Sequence, residues 1–443
     1  YSQSYGSDSV LSYDYSYDNN GNITEIKQNG KLINKYTYDS LNELKEEYDY
    51  VNKFYINYSY DGAGNLQNKY EQALDPNYGY PTGTQRGNTY EYTDTSWKDK
   101  LTKINGNNIT YDANGNPLSY RDGMSFEWEN GRILKKINTS DSSIQMSYDS
   151  NGMRTQKTVG GVKTNYYYDS DKNLIALVKG NDTLLFYYDS DGSATSFSYN
   201  GTMYFYVKNL QGDVIRIIDL AGTEVASYVY DAWGNIKDTN GEPTIREINP
   251  IRYRGYVYDT ETGLYYLQSR YYDPFAGRFL NADAYCDTMS GSPLSTNMFA
   301  YCENDSINYA DYDGFRITVN VKRTNNSYVL KVKLPWSDIS NYFNYRSIAY
   351  GIVGLVACFI PEPVVSKALG VAAGIASLTS AIASTLISNY KKNKSIIFKM
   401  SFNYQKVKKT AYFYIINTWW LKVRIRFTAK SIRIYNLKWS VTH

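Results

Sequence analysis

The stretch YDSNGMRTQKTVGGVKTNYYYDSDKNLIALVKGNDTLLFYYDSDGSA, Tyr148–Ala194, writes one short motif three times, starting at Tyr148, Tyr168 and Tyr188. The motif is Tyr-Asp, two variable residues, Gly, Asn or similar, then an apolar residue. Further copies are YDNNGNI at Tyr17–Ile23, YDGAGNL at Tyr60–Leu66, YDANGNP at Tyr111–Pro117 and YDAWGNI at Tyr230–Ile236. A weaker copy starts at Tyr38, and Trp128 and Asn209 open degenerate ones, WENGRIL and NLQGDVI. From Tyr148 the starts fall at 168, 188, 209 and 230, a period of 20 or 21 residues. Repetition at that period is the mark of a repeat array.

Each unit reads as a hairpin. Tyr and β-branched residues alternate ahead of each turn, as in Tyr36/Tyr38, Tyr58/Tyr60 and Tyr228/Tyr230; that is the period of a strand with one buried face. Asp hydrogen-bonds its own backbone two residues on, and Gly supplies the positive φ that the turn needs. Two strands of about six to eight residues and a turn fill one period. Residues 1–315 carry no sustained 3.6-residue apolar pattern. The expected fold is mostly β: a long, curling antiparallel sheet with its aromatic face inward. An ordinary β-sandwich with tandem turns is the alternative.

Composition narrows the chemistry. The chain has 443 residues, enough for two or three domains, and 50 of them are Tyr against 15 Phe and 7 Trp. Mean hydropathy of −0.54 argues against a polytopic membrane protein. The one His is His443 and the three Cys are Cys286, Cys302 and Cys358, which argues against zinc and di-metal hydrolases and against Ser-His-Asp or Cys-His catalysis. No metal or cofactor is expected. The chain begins at Tyr1 with no basic-then-apolar leader, so the sequence predicts no signal peptide in this stretch and reads as a piece of something longer. The net charge of +3 hides a division. Residues 316–443 hold 20 Lys and Arg against two acids, Asp338 and Glu362, whereas residues 1–315 hold 42 acids against 27 bases. Two modules with separate tasks are the usual meaning of such asymmetry.

These units resemble the YD repeats of the Rhs/YD-repeat family, which includes bacterial Rhs toxins, Tc-toxin cocoon subunits and animal teneurins. Residues 250–281, PIRYRGYVYDTETGLYYLQSRYYDPFAGRFLN, resemble its Rhs-associated core segment almost throughout. The resemblance covers about residues 15–315 and implies three parts: a YD shell over 1–245, a core plug over 246–315, and a variable basic region over 316–443. In the family the antiparallel sheet spirals into a hollow shell that encloses its own C-terminal toxin cargo, so an immunity protein and delivery to a target cell from a secreted or surface location are implied. An acidic wall lowers the cost of confining a basic cargo. Wall-associated and teneurin-like members imply a different function, adhesion, for which a strongly basic terminus has no evident use.

The resemblance also implies self-cleavage by two carboxylates of the core, one polarising the scissile carbonyl and one activating water. Asp259 and Asp283 match those acids, with Arg252 (or less clearly Arg246) as an upstream arginine. The cut-site counterpart is Asp311-Tyr312-Asp313-Gly314-Phe315, with the bond beyond Phe315 cleaved. Tyr312 stands where relatives carry Pro, which frees φ, and Phe315 replaces Leu. The competing reading makes Asp259 and Asp283 structural acids paired with Arg270 and Arg278.

In the tail, RITVNVKRTNNSYVLKVKL at 316–334 alternates as a hairpin around Asn325-Asn326, and 395–442 alternates again with bases and aromatics. Between them, 347–388 is apolar and small, broken by Pro361-Glu362-Pro363. Gly370, Gly374 and Ala376 give its second arm a small-residue face suited to close helix packing, so this region is expected to be a helical hairpin within an α+β domain. Either it enters a membrane, with the bases drawing it to anionic lipid, or it is a soluble α-hairpin. Basic-aromatic strands at 412–438 suit a nucleic-acid backbone or an anionic lipid surface, and membrane disruption is the first expectation for the tail, a nucleic-acid binder or metal-free nuclease the second.

Overall fold

The computed structural model describes residues 2–5, 9–190, 192–283 and 293–311, together with the backbone of six strands between 318 and 442. The chain divides into two compact units, Tyr1–Phe315 and Arg316–His443.

In the first unit the YD hairpins form a meander, each strand pairing antiparallel with the next in sequence. Among the described residues, ten strands from Ser2–Tyr5 to Asn107–Asn108 make one sheet, and fourteen from Thr110–Tyr111 to Ile236–Gly241 make a second. The motif's aspartate builds each turn. Asp61 Oδ1 accepts the backbone N–H groups of Ala63 (2.8 Å) and Asn65 (3.0 Å), and its Oδ2 accepts the Asn65 side-chain amide (3.0 Å). Asp18, Asp112 and Asp169 repeat this set. The glycine position lies in the left-handed region: φ is +74° at Gly64, and Asn42 (+66°) and Lys172 (+67°) adopt it in the weaker copies.

The motif's tyrosine joins one hairpin to the one before. Its hydroxyl donates to the carbonyl of the residue that ends the preceding motif: Tyr38 to Ile23 (2.8 Å), Tyr60 to Leu44 (2.7 Å), Tyr148 to Leu134 (2.7 Å), Tyr188 to Leu174 (2.9 Å) and Tyr230 to Val214 (2.8 Å). Trp128 does the same through Nε1 to Pro117 (2.6 Å). One copy is framed differently from the sequence reading, which opened it at Asn209. Lys208 holds the tyrosine position and donates to the Ala194 carbonyl (2.6 Å), while Asn209 Oδ1 accepts the Asp213 N–H as the motif aspartate would. The pairing register slips by one residue just before this position in repeat after repeat, between Ser16/Tyr17, Thr37/Tyr38, Ser59/Tyr60, Tyr187/Tyr188, Val207/Lys208 and Val229/Tyr230. Such bulges bend a strand and sharpen its twist, so a periodic bulge curls the whole sheet.

The core segment supplies a third, small sheet: Val257–Asp259, Leu264–Leu267, Arg270–Asp273 and Arg278–Phe279. Every residue of Leu264–Leu267 and Arg270–Asp273 is buried. Tyr36, Tyr58, Ile104 and Phe126 from the two large sheets share one apolar cluster with Trp233, Tyr253, Tyr265, Tyr272 and Tyr301. Over this stretch the inward face of the large sheets is therefore covered by the core segment. Later strands of the second sheet, around Phe186, Phe197 and Ile217, form another cluster with Ile245 of the short helix Pro243–Ile248 and with Ile251.

The second unit contains a four-stranded antiparallel sheet, Thr318–Thr324, Ser327–Leu334, Ile396–Gln405 and Arg433–Thr442, and a pair, Ala411–Ile416 with Lys422–Phe427. Thr324 pairs with Ser327 across Asn325-Asn326, where the sequence places a hairpin. The apolar stretch 347–388, with Gly370, Gly374 and Ala376, lies outside the described residues. Among the described residues no helix is long and apolar enough to cross a membrane.

The two halves of the motif contribute unequally. Tyr60→Phe removes one neutral hydrogen bond and is expected to cost about 1 kcal/mol, whereas Asp61→Ala removes three bonds to a carboxylate and should cost about 2–3 kcal/mol. Urea midpoints of the two variants check the order; equal losses would count against the carboxylate as the turn's main determinant.

Candidate functional site

The core segment meets the sheets through buried charges. Asp259 ends the first strand of the small sheet, and its carbonyl accepts the N–H of Gly263 (2.9 Å) to turn the chain. Its side chain is held from across the seam. Arg154 Nη1 and Nη2 reach Oδ2 and Oδ1 at 2.5 and 3.1 Å, and Lys157 Nζ reaches Oδ1 at 2.9 Å. Lys157 also pairs with Glu261 at 2.7 Å. Arg154 is fully buried, and its guanidinium lies over the rings of Tyr166 (4.6 Å) and Tyr266 (4.4 Å). Burial pushes the Asp259 pKa up, but the two cations outweigh it and lower it to about 2. Asp259 is thus a carboxylate throughout the ordinary pH range.

Asp283 sits elsewhere. Arg270 Nη2 lies 3.0 Å from Asp283 Oδ2 and 3.5 Å from Asp311 Oδ2, so one guanidinium gathers the second candidate acid and the first residue of the candidate cut motif. Arg270 is 2% exposed and stacks on Phe279, with 3.5 Å from guanidinium carbon to ring centroid. The Asp311 N–H donates to the Tyr256 hydroxyl (2.9 Å), which shares a bond with the Tyr301 hydroxyl (2.9 Å). Gly314 and Phe315 lie outside the described residues. Arg252 approaches neither acid: its guanidinium is held between Tyr228 (4.9 Å) and Tyr258 (4.4 Å) and donates to the carbonyls of Asn249 and Arg246. Arg278, the other arginine considered as a partner, bonds the Tyr92 hydroxyl (2.9 Å) and the Asp99 carbonyl (2.5 Å).

Sequence reading missed Arg154 and Lys157, which stand 105 and 102 residues before Asp259. A signal was present: Arg154 occupies the apolar last position of its motif, where other copies carry Ile23, Leu44, Leu66, Leu174 and Ile236. A charge at an inward repeat position needs an opposite charge from whatever covers that face.

Further acids line the seam. The Glu43 carboxylate accepts the Asn304 amide (2.8 Å), and Glu47 Oε2 accepts the Tyr58 hydroxyl (2.8 Å) and the Ala232 N–H (2.9 Å). Asp305 accepts the Asn308 amide (2.7 Å). Burial dominates these three, raising Glu43 and Glu47 to about 8 and Asp305 to about 7. Among the described residues no cluster of His, Cys, Asp and Glu is placed to hold a metal ion.

The family model "Teneurin YD-shell" matches residues 50–307, more than half of the chain. The tRNA3(Ser)-specific nuclease WapA of Bacillus spizizenii is 37% identical over 287 residues, 62% of this chain and 12% of that protein. Double-stranded DNA deaminase toxin A of Burkholderia cenocepacia is 24% identical over 306 residues, 61% of this chain and 20% of the toxin. Human Teneurin-4 is 27% identical over 326 residues, 69% of this chain and 11% of its own length. The chain therefore spans about a tenth to a fifth of these relatives. Among solved structures, the TcdB2-TccC3 crystal structure without its hypervariable C-terminal region superposes with a TM-score of 0.56, at 18% identity over 69% of this chain and 17% of that one. That likeness is one of fold.

Two outcomes follow from the seam. Asp259→Asn leaves two buried cations short of charge and should cost about 3 kcal/mol or more in urea unfolding, while an exposed control, Asp122→Asn, should cost under about 0.5 kcal/mol. The pH dependence has two signs. The depressed pKa of Asp259 gives stability that is present above its unfolded value near 4 and is lost as pH falls toward 2. The raised values of Glu43, Glu47 and Asp305 mean that the folded unit keeps protons the unfolded chain releases above about pH 4, so stability falls as pH rises toward 8. The urea midpoint should therefore be lower at about pH 8.5 than at about pH 5.5, with Glu47→Gln narrowing the gap. A midpoint that rises over that interval would contradict the assignment.

Proposed function

This chain belongs to the teneurin YD-shell family, and from that premise we propose that it is the shell-and-core portion of a Rhs-type polymorphic toxin carrying its own basic C-terminal effector. One observation carries the reading. The charge reverses between residues 1–315, with 42 acids and 27 bases, and residues 316–443, with 20 bases and two acids; the chain divides into compact units at the same place. An acidic wall favours a basic cargo in a confined volume, and the same positive charge then draws the released cargo to a polyanion. Secretion or surface display, delivery to a target cell and an acidic immunity protein that neutralises the effector belong to this proposal.

WapA and the deaminase toxin are named for activity on tRNA and on double-stranded DNA. They favour a nucleic-acid target for this effector over the membrane target that residues 347–388 suggest in sequence. The tail carries little enzymatic material, with Asp338, Glu362 and His443 as its only acids and imidazole, so any strand scission would depend on lysine, arginine and tyrosine.

Release by self-cleavage is part of the proposal. The supporting observation is that Arg270 brings Asp283 to Asp311 at the head of the cut motif. Asp283 is the carboxylate best placed to activate water near that segment. Asp259, ionised and held by two cations, cannot donate a proton, and it contributes as a fixed negative charge that shapes the core.

Two measurements test these statements. Intact-mass analysis of the purified chain should find an acidic fragment ending at Phe315 and a basic fragment of 128 residues, with Asp283→Asn remaining whole. Wild type that stays intact under all conditions would remove self-cleavage. Induced expression of the chain in bacteria should arrest growth with damaged or sequestered RNA and an intact membrane potential. Depolarisation with RNA intact would reassign the effector to membranes, and normal growth would overturn the toxin reading.

A further inference from the structure

The register of the four-stranded sheet in the C-terminal unit sorts its residues onto two faces. Residues opposite one another on neighbouring strands share a face, as do alternate residues along a strand. The row Asn320–Lys331–Lys399–Ser440 crosses all four strands. The rows two residues to either side, Thr318–Lys333–Ile397–Thr442 and Lys322–Val329–Ser401–Lys438, lie on the same face. Past the register shift, Arg433 lies opposite Gln405 and joins them. That face holds six bases, Lys322, Lys331, Lys333, Lys399, Arg433 and Lys438, and no acid; most of its other positions are Ser, Thr, Asn or Gln. The opposite face takes the apolar residues, among them Val321, Leu330, Val332, Phe398, Met400 and Trp439.

Folding alone does not ask for this arrangement. Lys331 and Lys399 lie directly opposite on neighbouring strands, and like charges so placed destabilise a sheet. An apolar face is enough to form the sheet, so six bases with no acid among them on the other face are a cost that a polyanion relieves. Neighbouring strands are about 4.8 Å apart and alternate residues about 6.7 Å apart, so the six bases stand close enough to meet several phosphates of one strand.

We propose that this face binds the phosphate backbone of nucleic acid. The proposal deepens the reading of the tail as a delivered effector and rests on it. The companions of the bases favour nucleic acid over lipid: Ser, Thr and Asn, which accompany Lys at phosphates, share their face, and Trp439 and Phe398 lie on the other.

The test is anisotropy of a labelled 20-nucleotide RNA of mixed sequence titrated with the full-length chain at several salt concentrations. Six neutralised phosphates should give a log K against log salt slope of about −4. Lys331→Gln with Lys399→Gln should bring the slope to about −3 and leave the thermal midpoint unchanged or higher, because it relieves repulsion. Arg323→Gln, on the opposite face, should leave the slope alone. If the double glutamine variant does not fold, Lys331→Arg with Lys399→Arg must keep the wild-type slope. Weak binding without salt dependence, equal effects of Arg323→Gln, or binding to phosphatidylglycerol vesicles but not to RNA would each overturn the proposal. Growth arrest that persists in a chain unable to bind RNA would leave the toxin reading standing and sink this one alone.

Discussion

Most YD turns of the shell are closed by two polar groups doing separate jobs: a carboxylate that caps the turn and a hydroxyl that ties the hairpin to its predecessor. The carboxylate of Asp61 satisfies three donors that a tight turn would otherwise leave to solvent. The hydroxyl of Tyr60 reaches the Leu44 carbonyl of the preceding motif, and the bulge just ahead of Tyr60 bends its strand. Because both devices act between sequence neighbours, the shell extends by repetition, and its stability is close to a sum of unit and neighbour terms. Trp128 and Lys208 identify the essential property at the tyrosine position as a long side chain with a terminal donor.

An array of this kind leaves an inward face that some other element must cover. The core segment does so with aromatic rings and with ion pairs that cross the seam, Arg154 with Asp259 and Arg121 with Asp273. Buried ion pairs add little net stability over apolar packing, but a misplaced one is severely unfavourable. They therefore fix where the segment docks along a sheet whose repeats look alike. A tyrosine-rich interior is consistent with that task, since each ring brings apolar area and a hydroxyl able to satisfy a neighbouring polar group.

What could be read in the sequence follows from how local each cause is. Hairpins, turn chemistry and the array were legible because Tyr, Asp and Gly act within a few residues of one another, and the tail hairpin at Asn325-Asn326 was legible for the same reason. The frame of one degenerate copy was not, because Asn209 mimics a motif start and only the hydrogen bond of Lys208 reveals the true one. Asp259 and Asp283 stood out by resemblance, and Arg270, offered as a partner from sequence, does pair with Asp283, but the partner of Asp259 could not be read. Arg154 lies on a distant strand, and Arg278, a nearer candidate, is spent on Tyr92 and Asp99.

The central claim is that the core segment and the YD sheets form one cooperative body, joined by the ion pairs of the seam. Hydrogen exchange read by mass spectrometry tests it directly, on peptides from residues 144–168 of the sheet and 250–281 of the core. The account predicts matched protection in the two regions, falling together when Arg154→Met removes the charge at the seam. A core segment that exchanges rapidly while the sheet stays protected, in wild type or in the variant, would contradict it.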